Sequence, residues 1–213
     1  TMTVHVYNNY FDGIAKYGVG ATTGSNVFVE SNYYRNANKP MLISLQGTDI
    51  VNGVKNGTFS GESGGMIKAF GNVYAEKSSN FKLVTHKQSA TSFDCYEAET
   101  RDEVVPASYV TLSGGTSYNN FDTDKSKMYT YPADAATDVP GIVTGQYGAG
   151  RMQHGDFEWT FNNAVDDTSS DVNTALKAAI TNYTTSLVGI FGDTSGGGTN
   201  PVPPTPPVDG DYT

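Results

Sequence analysis

The 213 residues contain one cysteine, Cys95, and one tryptophan, Trp159. A single thiol excludes an internal disulfide and a cysteine-based zinc cluster within one chain. Charge is scarce, with 16% Asp, Glu, Lys and Arg where soluble domains carry about a quarter. Basic charge is scarcest: 13 Lys and Arg stand against 22 Asp and Glu, a formal net charge of −9. Phosphate binding needs a cationic surplus, so nucleic acid is not an expected partner. No apolar run approaches the roughly 18–20 residues of a membrane-spanning helix, so no membrane role is expected. No leader-type segment opens the chain either; it enters an alternating strand pattern at Val4, and the expectation is a start internal to a longer protein.

What the chain has instead is Gly (24), Tyr (14) and Phe (10), with 37% hydrophobic residues. That composition is too apolar and aromatic for disorder and reads as β-rich, in the style of an exported protein. The charge is also unevenly placed. Residues 1–93 hold eight Lys/Arg and five acids, a balance of +3; residues 94–213 hold five and 17, a balance of −12. The first part can face an anionic ligand, and the second repels one.

Three segments of the first part are self-similar: Val4–Phe11 (VHVYNNYF), Val27–Tyr34 (VFVESNYY) and Ile67–Tyr74 (IKAFGNVY). Each alternates like a half-buried strand, places Asn sixth and an aromatic eighth. A period in the low twenties suits one coil of a solenoid. The third copy comes 40 residues after the second, so either a loop is inserted or a weaker coil intervenes. Asn at matched positions can donate to one coil and accept from the other, so Asn9, Asn32 and Asn72 are expected to form a ladder. Asn also tolerates the left-handed conformation of sharp turns. Phe11, Tyr34 and Tyr74 are expected to stack. The alternative is a set of unrelated hairpins in an antiparallel sandwich.

Val4–Phe11, Lys16–Gly20 (KYGVG), Val27–Tyr34 and Lys39-Pro40 together resemble the pectate lyases of polysaccharide lyase family 1, whose equivalents are a "VHVYNNYY" strand, a short strand of the next coil and a "vEgNyF" strand. Gly148–Arg151 (GAGR) is similar to a later element of that family. The resemblance implies an all-β, right-handed parallel β-helix, here its C-terminal coils with long loops and one C-terminal packing α-helix. It implies a secreted enzyme that cleaves polygalacturonate or pectin by β-elimination. In that reaction Ca²⁺ bridges enzyme and uronate carboxylates, and an arginine removes the C5 proton. The family's arginine strand, "RxPRxRxG", directly precedes "VHVYNNYY", and its calcium ligands lie earlier still. None has a counterpart among these residues, so no catalytic residue and no metal ligand is assigned, and the chain alone is expected to be inactive. The N-terminal remainder of the β-helix is its expected partner, with the complete domain monomeric. A bare first coil is expected to make the isolated chain associate.

Substrate contact can remain in the coils present. Lys16 and Tyr17 are the first candidates, Lys16 for a uronate carboxylate and Tyr17 for a sugar face; Arg35 and Lys39 on the following turn come second. The competing function is a non-catalytic β-helix that binds or adheres to an anionic glycan.

Other patterns read as structural. Gly61–Gly65 (GESGG) fits the G-x-S-x-G of hydrolases, but the strand-like Met66–Phe70 follows where an elbow needs a helix. His5, His86 and His154 lack metal-site spacing, and His5 is expected to pack or hydrogen-bond. Asp94, Glu97, Glu99, Asp102 and Glu103, then Asp122 with Asp124, and Asp166, Asp167 and Asp171 lack calcium-loop spacing and are expected on a solvated face. Residues 94–168 are expected to be long loops, with Trp159 a buried anchor. Val172, Ala175, Leu176, Ala179, Ile180, Tyr183 and Leu187 fall on one helical stripe, capped by Ser170 or Asp171 and ended by Gly189 or Gly192, and expected to pack on the solenoid. The domain is expected to span residues 1–192, and the Gly run and Pro run of 193–213 to be a linker.

Overall fold

A computed structural model describes residues 2–58, 60–145, 172 and 174–182. Most of its regular structure is strand, and the long pairings are parallel. The regular structure of the described residues is therefore mostly sheet, consistent with the all-β class expected from composition and alternation.

The three self-similar segments fold alike. Strand β1 (Thr3–Tyr7) is followed by β2 (Tyr10–Asp12) and β3 (Val19–Ala21); β4 (Asn26–Glu30) is followed by β5 (Tyr33–Arg35) and β6 (Met41–Ile43). After an insertion that carries the short hairpin β7 (Ile50–Val51) and β8 (Val54–Lys55), the pattern resumes with β9 (Met66–Phe70) and β10 (Val73–Ala75). Of the two explanations for the 40-residue spacing, an inserted loop is the one observed. Strand β11 (Tyr96–Glu97) closes the series.

Pairing runs between repeats, in parallel. One sheet has the order β1-β4-β9-β11, a second β10-β5-β2, and a third β3-β6. The register follows the sequence alignment: His5 opposes Phe28 and Phe28 opposes Lys68, while Phe11 opposes Tyr34 and Tyr34 opposes Tyr74. Among the described residues β1 pairs only with β4, so one edge of the first sheet presents unpaired backbone groups.

Because side chains alternate across a strand, one face of the first sheet supplies Val27, Val29, Ile67 and Ala69. These join Met41, Ile43, Tyr34 and Phe93 in a continuous apolar core. Cys95 lies in the same core, and burial pushes its thiol well above the ordinary range, which leaves it a packing residue.

The corners between strands use left-handed backbone at matched positions. Asn8, Ser31 and Gly71 (φ 52°, 50° and 62°) turn the chain out of β1, β4 and β9; Gly13, Asn36 and Glu76 (φ 66°, 48° and 42°) turn it out of β2, β5 and β10. The left-handed residue thus precedes the ladder asparagine. This corrects the expectation that the ladder asparagines themselves take that conformation. The preceding residue makes the bend, which leaves each carboxamide beside the backbone of its neighbour.

Residues 98–138 are mostly irregular, as expected, with one 3₁₀ turn at Phe121–Thr123. A short helix α1 (Val139–Thr144) carries Pro140 in its first turn, which suits that position. Helix α2 (Thr174–Thr181) forms within the expected segment, but Val172 and Ile180 are 68% and 58% exposed. The described part of the stripe therefore does not cover the core, whose apolar side chains pack against one another and against Phe93, Tyr118 and Phe121. The expectations for Gly148–Arg151, His154, Trp159, Asp166, Asp167, Tyr183, Leu187, the helix caps and the linker fall outside the described residues.

Candidate functional site

The ladder is a continuous hydrogen-bond chain. Asn9 donates from its backbone N–H and from Nδ2 to Oδ1 of Asn32 (3.0 and 2.9 Å). Asn32 repeats both bonds to Oδ1 of Asn72 (3.0 Å each) and adds two from Nδ2, to the carbonyls of Val6 and Glu30. Asn72 donates to Val29 O (2.8 Å). Asn32, at 0% exposure, therefore fills its acceptor and donors without water. Beside it the rings of Phe11 and Tyr34 stack at 4.5 Å with a 3° interplanar angle, and Tyr74 follows at 5.7 Å. A second cross-repeat amide, which sequence reading missed, is Asn38. Its Nδ2 donates to Ala15 O (2.8 Å) and its Oδ1 accepts from Ser78 (2.6 Å).

These contacts fix the turn that carries the substrate candidates. The chain enters the third sheet through Gly18, whose N–H donates to Lys39 O, and Asn38 N–H donates to Ile14 O. The turn 14–18, which carries Lys16 and Tyr17, thus lies against the turn 37–40 of the next repeat, which carries Lys39. A side chain at position 18 has no room there, since a Cβ would come within 2.8 Å of Pro40 O and 2.9 Å of the Tyr34 ring.

The four candidates are not equivalent. Lys16 is exposed and forms no ion pair among the described residues; Tyr17 beside it is half-buried. Lys39 is half-buried and its ammonium donates to Thr48 O (3.0 Å). Arg35 is 6% exposed and bridges repeats, with Asp12 at 2.6 Å on one side and Glu76 at 2.9 Å on the other. Its guanidinium holds successive corners together. Asp12 opposes Arg35 in the parallel register, and the same 23-residue spacing that aligned the asparagines would have paired these charges in the sequence.

Behind this turn the insertion after β6 is organised by buried polar groups. Asp49 accepts from Leu45 N–H (2.8 Å), Thr58 N–H (3.0 Å) and the Thr58 hydroxyl. Gln46 donates to Phe93 O and accepts from Leu112 N–H. Asp94 accepts from Thr48 (N–H and hydroxyl) and from Val84 N–H. Asp94 is therefore not on a solvated face, which corrects that expectation; burial pushes its carboxyl up to about 6, opposed by the hydrogen bonds and by the Lys39 charge. Asp122 is corrected likewise. It is fully buried and paired with Lys68 at 2.6 Å. Both were misread because an acidic run looks solvated until the groups packed across it are known.

The GESGG segment makes no elbow. Gly64 bridges Thr22, β9 follows directly, and a Cβ on Gly65 would meet Ser25 O at 2.6 Å and Thr22 O at 2.7 Å. His5 is hydrogen-bonded on both sides, to Glu30 through Nε2 (2.8 Å) and to the Tyr129 hydroxyl through Nδ1 (2.7 Å). The carboxylate only accepts, so the network assigns the proton to Nε2. No group of three or more His, Cys, Asp or Glu side chains gathers to hold a metal among the described residues. No helix of the described residues is long and apolar enough to cross a membrane.

No protein-family model, curated protein or solved structure matches the chain.

Proposed function

We propose that the three parallel ladders are the faces of a right-handed parallel β-helix, and that the chain is the C-terminal part of a secreted pectate lyase acting on polygalacturonate or pectin. The observation that carries this reading is the Asn9–Asn32–Asn72 ladder in register with the Phe11–Tyr34–Tyr74 stack, on the very segments that resemble the family. In this reading the proton-abstracting arginine and the Ca²⁺ carboxylates belong to residues outside these 213. This chain supplies the coils that continue the substrate cleft. Lys16, exposed and without an ion pair among the described residues, meets a uronate carboxylate; Tyr17 offers a sugar face. Lys39 and Arg35 play a lesser part, because Thr48, Asp12 and Glu76 already hold them.

The test has two arms. The complete polypeptide that contains this chain is expected to release unsaturated uronide from polygalacturonate in a Ca²⁺-dependent manner, read by ultraviolet absorbance. Lys16→Ala in it is expected to raise KM several-fold. The 213-residue chain alone is expected to release none. Product from the isolated chain, or a complete polypeptide with no Arg-x-Pro-Arg-x-Arg strand before Val4 and no activity, would overturn the reading.

A further inference from the structure

A cleft of about 990 Å³ opens between the first sheet and the segment 101–133. Its size suits an oligosaccharide of a few rings. One wall is the sheet, through Glu30, Ser31 and Phe70; the other is the loop segment, through Val104, Met128, Tyr129 and Tyr131. None of the four substrate candidates near the turn 14–18 and the turn 37–40 lines it.

The loop wall is held in place before any ligand arrives. Tyr131 donates to the Glu30 carboxylate and accepts from Arg101 (2.7 Å). Arg101 also donates to Asp102 and to Asp122 O. Tyr129 meets His5, whose ring stacks on Tyr7 at 4.5 Å. Asn8 fastens the far end, donating to Asp134 O and accepting from its N–H. Lys68 and Asp122, both fully buried, pin the base of the segment to the sheet. Yet Tyr129 remains 54% exposed and Val104 58% exposed. An aromatic ring fixed by its hydroxyl but open on its body is a preorganised platform, with little ordering cost on binding.

Around that apolar surface stand hydroxyls, Ser31, Thr123 and Thr130. A pyranose ring has the matching pattern, an apolar face rimmed by hydroxyls. The charges decide which sugar. Glu30 and Asp122 are buried and engaged, Arg101 is taken up by Asp102, and Lys127 by Asp124. Lys125 is left as the lining cation without an ion pair among the described residues, and the lining as a whole holds Glu30, Asp102 and Asp122 against Arg101 and Lys125. That lining offers a polyuronate no cationic surplus.

We propose that this cleft binds a neutral oligosaccharide, with Tyr129 as the stacking platform. The inference stands on the cleft alone and does not depend on the lyase reading. The experiment titrates the 213-residue chain with cellotetraose and, separately, with tetragalacturonate, by calorimetry or by ligand-observed magnetic resonance. Cellotetraose is expected to bind at least about tenfold more tightly than tetragalacturonate, a gap of ~1.4 kcal/mol. Tyr129→Ala, at an exposed site, is expected to weaken cellotetraose about tenfold, and Tyr129→Phe, which keeps the ring and loses the hydroxyl, about two- to threefold. A matching circular dichroism spectrum establishes that each variant is folded. No cellotetraose binding, equal or tighter tetragalacturonate binding, or full affinity in Tyr129→Ala overturns the proposal.

Discussion

Between Thr3 and Ala75, every strand of the three parallel ladders finds its partner at a repeated spacing along the chain, and backbone hydrogen bonds do most of the joining. Between Asp94 and Gly145, only Tyr96–Glu97 enters a ladder. The rest is fastened by side chains, through the Lys68–Asp122 pair, the Arg101 and Tyr131 contacts, Asn120 with Val105, and Asp94 with Thr48. The first region is periodic and slightly basic; the second is aperiodic and acidic. A repeat can meet its backbone needs by stacking on its own kind. A single irregular segment has no copy to stack on, so its backbone groups and its charges must be met one at a time.

That contrast can be broken at its strongest fastening. Asp122→Ala leaves the Lys68 ammonium buried without its partner and is expected to lower stability by about 3–5 kcal/mol, whereas Lys68→Met with Asp122→Leu together is expected to stay within about 1–2 kcal/mol of the parent. Urea denaturation of both variants measures the difference, and an equal loss in the two would show that the charge pair is not what binds the regions.

The next effect lies inside the repeat. Asn32→Ala strands the Asn9 N–H and the carbonyls of Val6 and Glu30, and is expected to cost about 2–3 kcal/mol. Asn9→Ala, at the exposed end of the ladder, is expected to cost about 1 kcal/mol or less. Thermal unfolding that ranked the two the other way would remove the ladder from the account of stability.

Asp94 joins the regions through a group whose charge depends on pH. Its folded carboxyl stands at about 6, above its ordinary 3.8, so the native state holds the proton across a window where the unfolded chain has lost it. Stability contributed by this group is therefore full below the ordinary value and falls as pH rises toward 6, by roughly 2–3 kcal/mol. Asp94→Asn is expected to flatten that slope in denaturation curves recorded from pH 4 to pH 7 (about the window set by these values). An unchanged slope would place the proton elsewhere.

The smallest expected effect is at a corner. Ser31 holds φ 50° where its counterpart in the third repeat is Gly71. Ser31→Gly relieves left-handed strain and adds unfolded-state freedom, and is expected to shift stability by about 1 kcal/mol or less. A loss well beyond that would mean that the Ser31 side chain, and not its backbone, matters at the corner.

Much of the first region was legible in the sequence. Alternation at Val4–Val6, Val27–Val29 and Ile67–Ala69, with Asn and an aromatic at fixed offsets, is enough to align three strands and to name the residues that meet between them. A residue's place in a repeat depends on its neighbours along the chain, and those neighbours are written down. The left-handed corner was located one residue too late, because two adjacent asparagines, Asn8 and Asn9, offer the same local signal and only the hydrogen bond to Asn32 separates their roles. The acidic residues from 94 to 124 were legible as a group but not as individuals. Asp94 and Asp122 are buried while Asp102 is 81% exposed, and nothing local distinguishes them.

Local pattern is enough to dictate the repeat: its strands, its register, its asparagine and aromatic positions, and the division between a basic first part and an acidic second. Tertiary structure alone decided what each charge does. Lys68 holds the position of His5 and Phe28 in its own repeat, yet it is fully buried because Asp122, 54 residues away, reaches it. Arg35 is sealed between Asp12 and Glu76, and Lys16 is not. A charge is stable in the interior only when a partner from another part of the chain arrives with it, and that arrival is a property of the folded molecule.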